Sequence, residues 1–143
     1  NGSVLFIPGS HKGKIYNHHH NGCFAGAIDI EKDNIDLSDA FEVTGKAGSI
    51  TIHHARLLHA SKPNNSNTMR RFLLWEFAAS DAWPLMGIND YNDFNKKIIS
   101  GKTINTPRLS NVPVIMPLPA AINQGSIFEN QKVVTKNKNN ILM

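Results

Sequence analysis

Ser49-Ile50-Thr51-Ile52-His53-His54-Ala55-Arg56-Leu57-Leu58-His59-Ala60-Ser61, running on through Lys62-Pro63-Asn64-Asn65-Ser66-Asn67-Thr68-Met69 to Arg70-Arg71, is the stretch on which the reading of this chain turns. Ser49 to His53 follows the turn residues Gly45-Lys46-Ala47-Gly48 and alternates with a period of two, which predicts a strand. A second short strand is expected to contain Leu57-Leu58-His59, and Lys62 to Asn67 has the composition of a loop. Arg70 to Ala78 reads as the longest strand, with Arg70, Phe72, Leu74 and Glu76 on one face and Arg71, Leu73, Trp75 and Phe77 on the other. Adjacent antiparallel strands would turn His59 and Arg70, eleven residues later, into the same interior. A neutral imidazole can bind a divalent metal, and a guanidinium can grip a carboxylate through two parallel hydrogen bonds. Together they describe a site for a metal-chelating dicarboxylate.

Upstream, Asn1-Gly2 before Ser3-Val4-Leu5-Phe6-Ile7 has the look of a hairpin turn feeding a strand that Pro8-Gly9-Ser10 ends. Cys23 to Ile30 is a short apolar run with strand character, Asp29 to Asp39 an acidic loop, and Phe41-Glu42-Val43 a brief strand. Downstream, Asp90 to Ser100 is the one segment with helical spacing, through Tyr91, Phe94 and Ile98, and Gly101 is placed to cap it. Thr106 to Pro119 carries four prolines and should run as coil, because proline cannot donate to a ladder. Many short strands between turn signals, with one helix outside them, predict a mainly β jelly roll or barrel of the cupin kind. Residues 1–80 would hold the strands of that core, 81–131 an extension with the helix and extended coil, and 132–143 a fraying polar tail.

The totals narrow the class. A chain of 143 residues with 41% hydrophobic content is enough for one packed domain. It opens Asn1-Gly2-Ser3 without an initiator methionine and in what reads as the middle of a β-structure, which points to a C-terminal fragment. No run approaches the length of a membrane span and no leader of the signal-peptide kind is present. Cys23 is the single cysteine, so neither a disulfide framework nor a cysteine zinc site can be built. A soluble, cytoplasmic protein is expected, with no membrane partner. The formal charge of +4 draws on Lys132, Lys136 and Lys138, and no arginine-lysine stripe interleaves with aromatics, which argues against nucleic acid.

The order of a histidine, a small residue, a serine, then Pro-Asn, a serine and Arg-Arg before an aromatic strand resembles the second half of the phytanoyl-CoA dioxygenase family motif. Asn1-Gly2 through Pro8-Gly9-Ser10-His11-Lys12-Gly13 is similar to that family's earlier Asn-Gly and Pro-Gly-Ser-His signature. Asp81 to Leu85 and Gly125 to Gln131 also resemble bacterial members. The resemblance implies a double-stranded β-helix, present here in part, and an oxygenase that uses Fe(II), 2-oxoglutarate and molecular oxygen to hydroxylate a small organic molecule. It implies that His59 is a metal ligand, that Arg70 binds the distal carboxylate of 2-oxoglutarate, and that Ser61 supports the same carboxylate. No catalytic residue beyond these ligands is expected. The family's other two iron ligands come as His-x-Asp or His-x-Glu, and no such pair occurs in these 143 residues, so the fragment by itself is expected to be inactive. A cupin-like jelly-roll binding domain without redox chemistry is the alternative, because one fold hosts many functions.

The remaining histidines read differently. His53 and His54 are adjacent on the expected strand, so they face opposite ways and cannot serve one metal. Both are assigned to structure or to support of the site. His18-His19-His20 is read as a loop tract that would chelate only weakly. His11 could approach the site or stabilise its turn. Lys12 and Lys62 are read as solvated charges, Arg71 as a surface or interface charge, and Trp75 and Phe77 as packing residues.

Overall fold

The computed structural model describes residues 1–115, 129–131 and 134 of the chain. Its regular elements are mainly strands: β1 (Val4–Phe6), β2 (His19–His20), β3 (Cys23–Phe24), β4 (Phe41–Val43) and β5 (His59–Ser61), with a 3-10 turn at Ser10–Lys12 and one short helix, α1 (Tyr91–Asn95). The described residues divide into two compact units, residues 1–71 with 129–131 and 134, and residues 72–115. No helix among the described residues is long and apolar enough to cross a membrane.

In the first unit, β1 is the centre of a three-stranded antiparallel sheet ordered β4-β1-β5. Its register places Val4 opposite Ser61 and Val43, and Phe6 opposite His59 and Phe41. Side chains alternate along a strand, so His59 and Ser61 leave β5 on one face together with Val4 and Phe6 of β1, while Ala60 between them takes the other. Ala60 joins Ile28 and Leu58 in the core, flanked by Ile7, Tyr16, Ile30, Ile35 and Leu37. The ladder is prolonged at both ends, by Ile7 N to Leu58 O at 3.0 Å and by Lys62 N to Ser3 O at 2.9 Å. The Pro8-Gly9-Ser10 turn has a specific task. Gly9 takes φ +79°, and the Ser10 hydroxyl donates to Ile7 O at 2.7 Å while accepting from Leu58 N at 2.9 Å. One side chain thus pins the end of β1 to the residue before His59.

Two of the three histidines of the tract form a strand rather than a loop. His19 and His20 pair with Phe24 and Cys23 in a two-stranded sheet, turned by Asn21 and Gly22, both at positive φ. The apolar run expected to be a strand to Ile30 leaves the ladder after Phe24 and buries Ala25, Ala27 and Ile28 instead. Gln131, in the helical residues 129–131, is 2% exposed and donates from Nε2 to Gly26 O at 3.2 Å. A glutamine can enter a core when its amide finds a backbone partner of this kind.

Two expected strands are not formed. Residues 49–53 carry no ladder, and Ile50 and Ile52 are exposed. Residues 70–78 are also irregular, with Trp75 and Phe77 each 73% exposed rather than packed. Alternation specifies which side chains share a face, but a strand exists only where a second backbone supplies its hydrogen bonds. Among the described residues no segment pairs with either stretch.

The second unit holds α1, capped by Asp90, whose carboxylate accepts from Asp93 N at 2.7 Å. The helix ends at Asn95 instead of running to Ser100, so Gly101 does not cap it. Asparagine and aspartate favour local hydrogen bonds over helix continuation, and Asn95 Nδ2 donates back to Tyr91 O at 2.9 Å. Trp83 packs on Phe94 with ring centroids 5.5 Å apart. Arg108 holds Asp81 through Nε at 2.7 Å and Nη2 at 2.9 Å, which keeps that carboxyl below its ordinary range. Residues 106–115 are coil, as their prolines require; 116–119, and the tail apart from Val134, lie outside the described residues.

Candidate functional site

Three residues from the opening stretch converge on one end of the first sheet. His59 begins β5 and Ser61 ends it, on the same face. The loop from Lys62 to Met69 then returns the chain so that Arg70 Nη1 and Nη2 each stand 3.1 Å from Ser61 Oγ. Arg70 Nη1 also donates to the carbonyl of Gly2. The return loop is shaped by its own polar residues: Asn64 Nδ2 donates to Thr68 O at 2.8 Å, and the Ser66 hydroxyl to Asn64 Oδ1 at 2.7 Å. Arg70 therefore reaches the site from a loop end and not from a paired strand.

The chemistry of this group follows from donors and acceptors. A guanidinium only donates, so Ser61 Oγ must accept from it, which leaves the serine's own O–H as a donor. Arginine and serine side by side present a cationic fork and a hydroxyl, the set that binds a carboxylate. At His59, Nδ1 lies 2.8 Å from Leu57 O. A carbonyl only accepts, so Nδ1 carries the proton and Nε2 keeps its lone pair. Metal-binding histidines are commonly fixed in this way, with the second nitrogen tied to a carbonyl or carboxylate.

Gly2 explains why the start of the chain belongs to the site. It is buried at φ +78°, and a Cβ there would stand 2.6 Å from Lys62 O. Only glycine lets β1 approach the 62–64 backbone closely enough for its carbonyl to meet Arg70. Lys62, expected as a free loop charge, pairs with Glu42, whose carboxyl is lowered by its hydrogen bonds from Lys62 and Ser3.

His53 and His54 do diverge, although no strand holds them. His53 packs its ring on Phe6, centroids 4.6 Å apart, and sets it edge-on to His59 at 5.2 Å. Burial and then the neighbouring His59 make it harder to protonate than an ordinary histidine. His54 is exposed, lies 5.5 Å from the ring of His11 and accepts from Arg56 N at 3.1 Å. His18 is half-buried, and desolvation, followed by His19, lowers it as well. Arg56 Nη2 donates to Gly13 O at 2.6 Å. Among the described residues, no group of three or more histidine, cysteine or carboxylate side chains could hold a metal ion. His59 thus offers one ligand position beside the arginine-serine pair.

The profile described as phytanoyl-CoA dioxygenase (PhyH) matches residues 1–72, which contain every residue of this site. The chain belongs to the phytanoyl-CoA dioxygenase family. A curated relative named "Probable alpha-ketoglutarate-dependent hypophosphite dioxygenase", from Stutzerimonas stutzeri, is 40% identical over 140 residues, covering 95% of this chain and 49% of that protein. The chain therefore spans about half the length of that relative. No solved structure matches the chain. The structure brings Ser61 and Arg70 into contact two residues from His59, and adds the close backbone approach at Gly2 and the hydroxyl bridge at Ser10, for which the sequence reading had no part. The signal for Gly2 and Ser10 was their place in the Asn-Gly and Pro-Gly-Ser-His signature.

Proposed function

We propose that this chain is part of an iron(II)- and 2-oxoglutarate-dependent dioxygenase acting on a small molecule, and that residues 1–71 carry its cosubstrate clamp and one iron ligand. The observation that supports this most is the contact of both Nη atoms of Arg70 with Ser61 Oγ at 3.1 Å, two residues from a histidine whose Nδ1 is tied to a carbonyl. In this reading His59 holds the metal through Nε2, Arg70 fixes the distal carboxylate of 2-oxoglutarate in the plane of its fork, and Ser61 donates its hydroxyl to the same carboxylate. The bound iron supplies the activation of dioxygen that couples decarboxylation of 2-oxoglutarate to oxidation of the substrate. What these residues contribute is orientation, because a keto acid held at both ends has its reactive end fixed. The strands around them are proposed to belong to a double-stranded β-helix. A reducing, cytoplasmic setting suits a chain with one cysteine.

The substrate is a small molecule. The C–H bond of an organic compound is one target, and the relative's name puts hypophosphite first among those to try. There the reaction would turn one P–H bond into P–OH: hypophosphite, dioxygen and 2-oxoglutarate give phosphite, succinate and carbon dioxide. The test is succinate formation by the full-length gene product with iron(II), 2-oxoglutarate and air, with and without hypophosphite. Succinate released in step with phosphite establishes the function with this substrate. Iron-dependent succinate without phosphite establishes the oxygenase and redirects the search to organic substrates, and no succinate under any of these conditions rejects the reading.

A further inference from the structure

We infer that His53 is a substrate-binding residue, donating a hydrogen bond from Nε2 to an oxygen of a small phosphorus oxyanion held beside His59. The inference rests on the dioxygenase reading above and adds to it the group that recognises the substrate. Three observations carry it. The ring of His53 is held by Phe6, with centroids 4.6 Å apart, and stands edge-on to His59 at 5.2 Å. It is therefore a fixed imidazole beside the proposed iron ligand. Its Nδ1 is enclosed and makes no hydrogen bond among the described residues, although the residue as a whole is only half-buried. The accessible edge of the ring is therefore the one bearing Nε2.

The third step is the tautomer. An enclosed N–H without an acceptor is among the rarest arrangements in folded proteins, and it is less tolerable than an enclosed lone pair. The proton of a neutral His53 consequently belongs on Nε2, which makes the accessible edge a hydrogen-bond donor. A donor in that position recognises an acceptor oxygen and contributes nothing towards a bare hydrocarbon. The neighbouring residues do not compete for the task. Arg70 and Ser61 are engaged with each other and with Gly2, Ile52 faces solvent, and His54 turns towards His11.

The test compares His53→Phe with His53→Gln in the full-length gene product under argon. Phenylalanine keeps an aromatic ring against Phe6 and removes the donor. Glutamine carries an amide N–H near the position of Nε2. The readouts are the iron(II)-2-oxoglutarate absorption band, the dissociation constant of 2-oxoglutarate, and the dissociation constant of hypophosphite followed by its perturbation of that band. His53→Phe is expected to keep the band and the 2-oxoglutarate constant while weakening hypophosphite by about tenfold or more, the loss of a hydrogen bond to a charged acceptor. His53→Gln is expected to recover most of that loss.

Four outcomes overturn the inference. These are hypophosphite binding unchanged in His53→Phe, an equal loss for 2-oxoglutarate, no recovery by His53→Gln, or no binding of hypophosphite by the wild type. Each of them is compatible with an iron-cosubstrate band in the wild type, so the dioxygenase reading survives. Absence of the band in the wild type rejects both.

Discussion

Replacing Arg70 by lysine keeps a positive charge and removes the planar fork, so it separates geometry from electrostatics at the proposed cosubstrate clamp. The guanidinium meets Ser61 Oγ with both Nη atoms at 3.1 Å and the Gly2 carbonyl with Nη1. These contacts hold its plane before any carboxylate arrives. A lysine ammonium is a point charge on a flexible stem, and cannot offer two parallel donors to one carboxylate. At least one charge-assisted hydrogen bond is lost, worth roughly 1.5–3 kcal/mol, which converts to a cosubstrate constant weaker by about 10- to 100-fold. The assay is anaerobic titration of 2-oxoglutarate into the iron-loaded full-length protein, with the melting temperature of each variant measured alongside. Arg70→Ala should be weaker still. If Arg70→Lys binds 2-oxoglutarate within about twofold of the wild type, the fork is not what holds the carboxylate, and the argument from bidentate geometry fails.

Three further expectations follow from the packing. Gly2→Ala must carry a side chain at φ +78° with its Cβ 2.6 Å from Lys62 O, so urea unfolding should show a loss of about 1–3 kcal/mol, accompanied by weaker 2-oxoglutarate binding as the carbonyl leaves Arg70. Ser10→Ala removes the hydroxyl between Ile7 O and Leu58 N and should cost about 1–2 kcal/mol in the same experiment; an unchanged midpoint would show that the turn holds β1 to β5 without it. His18 is harder to protonate folded than at its ordinary 6.5, through burial and then His19. The unfolded chain therefore takes up the proton first as pH falls, and stability is lost below that value. The melting temperature of the wild type should drop more between about pH 7.5 and pH 5 than that of His18→Gln; equal drops would remove His18 from the acid response.

The sequence spoke most clearly where its signals were local. Val4–Phe6 is a strand because a short apolar run ended by Pro-Gly has few other ways to bury a face, and Phe41–Val43 forms by pairing with it although Phe41 and Glu42 stay exposed. His59, Ser61 and Arg70 could be chosen together because a known motif carries all three. What local signals could not supply was pairing. The alternation in 49–53 and 70–78 is genuine, yet no backbone pairs in a ladder with either among the described residues, and the same arithmetic that named their faces said nothing of a partner. The spacing of Tyr91, Phe94 and Ile98 predicts a longer helix after Asp90 than the one that forms, because asparagine side chains compete with the helix. The burial of Gln131 against Gly26 joins residues 105 positions apart, beyond the reach of any window of sequence. The sequence assigns His53 to structure or to support of the site, but its contact with Phe6 needed the register that sets Phe6 opposite His59.

The central claim is that His59, Ser61 and Arg70 form an iron and 2-oxoglutarate site, and the most direct measurement of it is the visible absorption of the full-length gene product with iron(II) and 2-oxoglutarate under argon. The wild type should show a charge-transfer band that weakens strongly in both His59→Ala and Arg70→Ala, the first by losing a metal ligand and the second by losing the clamp. A wild type without the band, or a band equally strong in all three proteins, would contradict the account and favour a jelly-roll binding domain without redox chemistry.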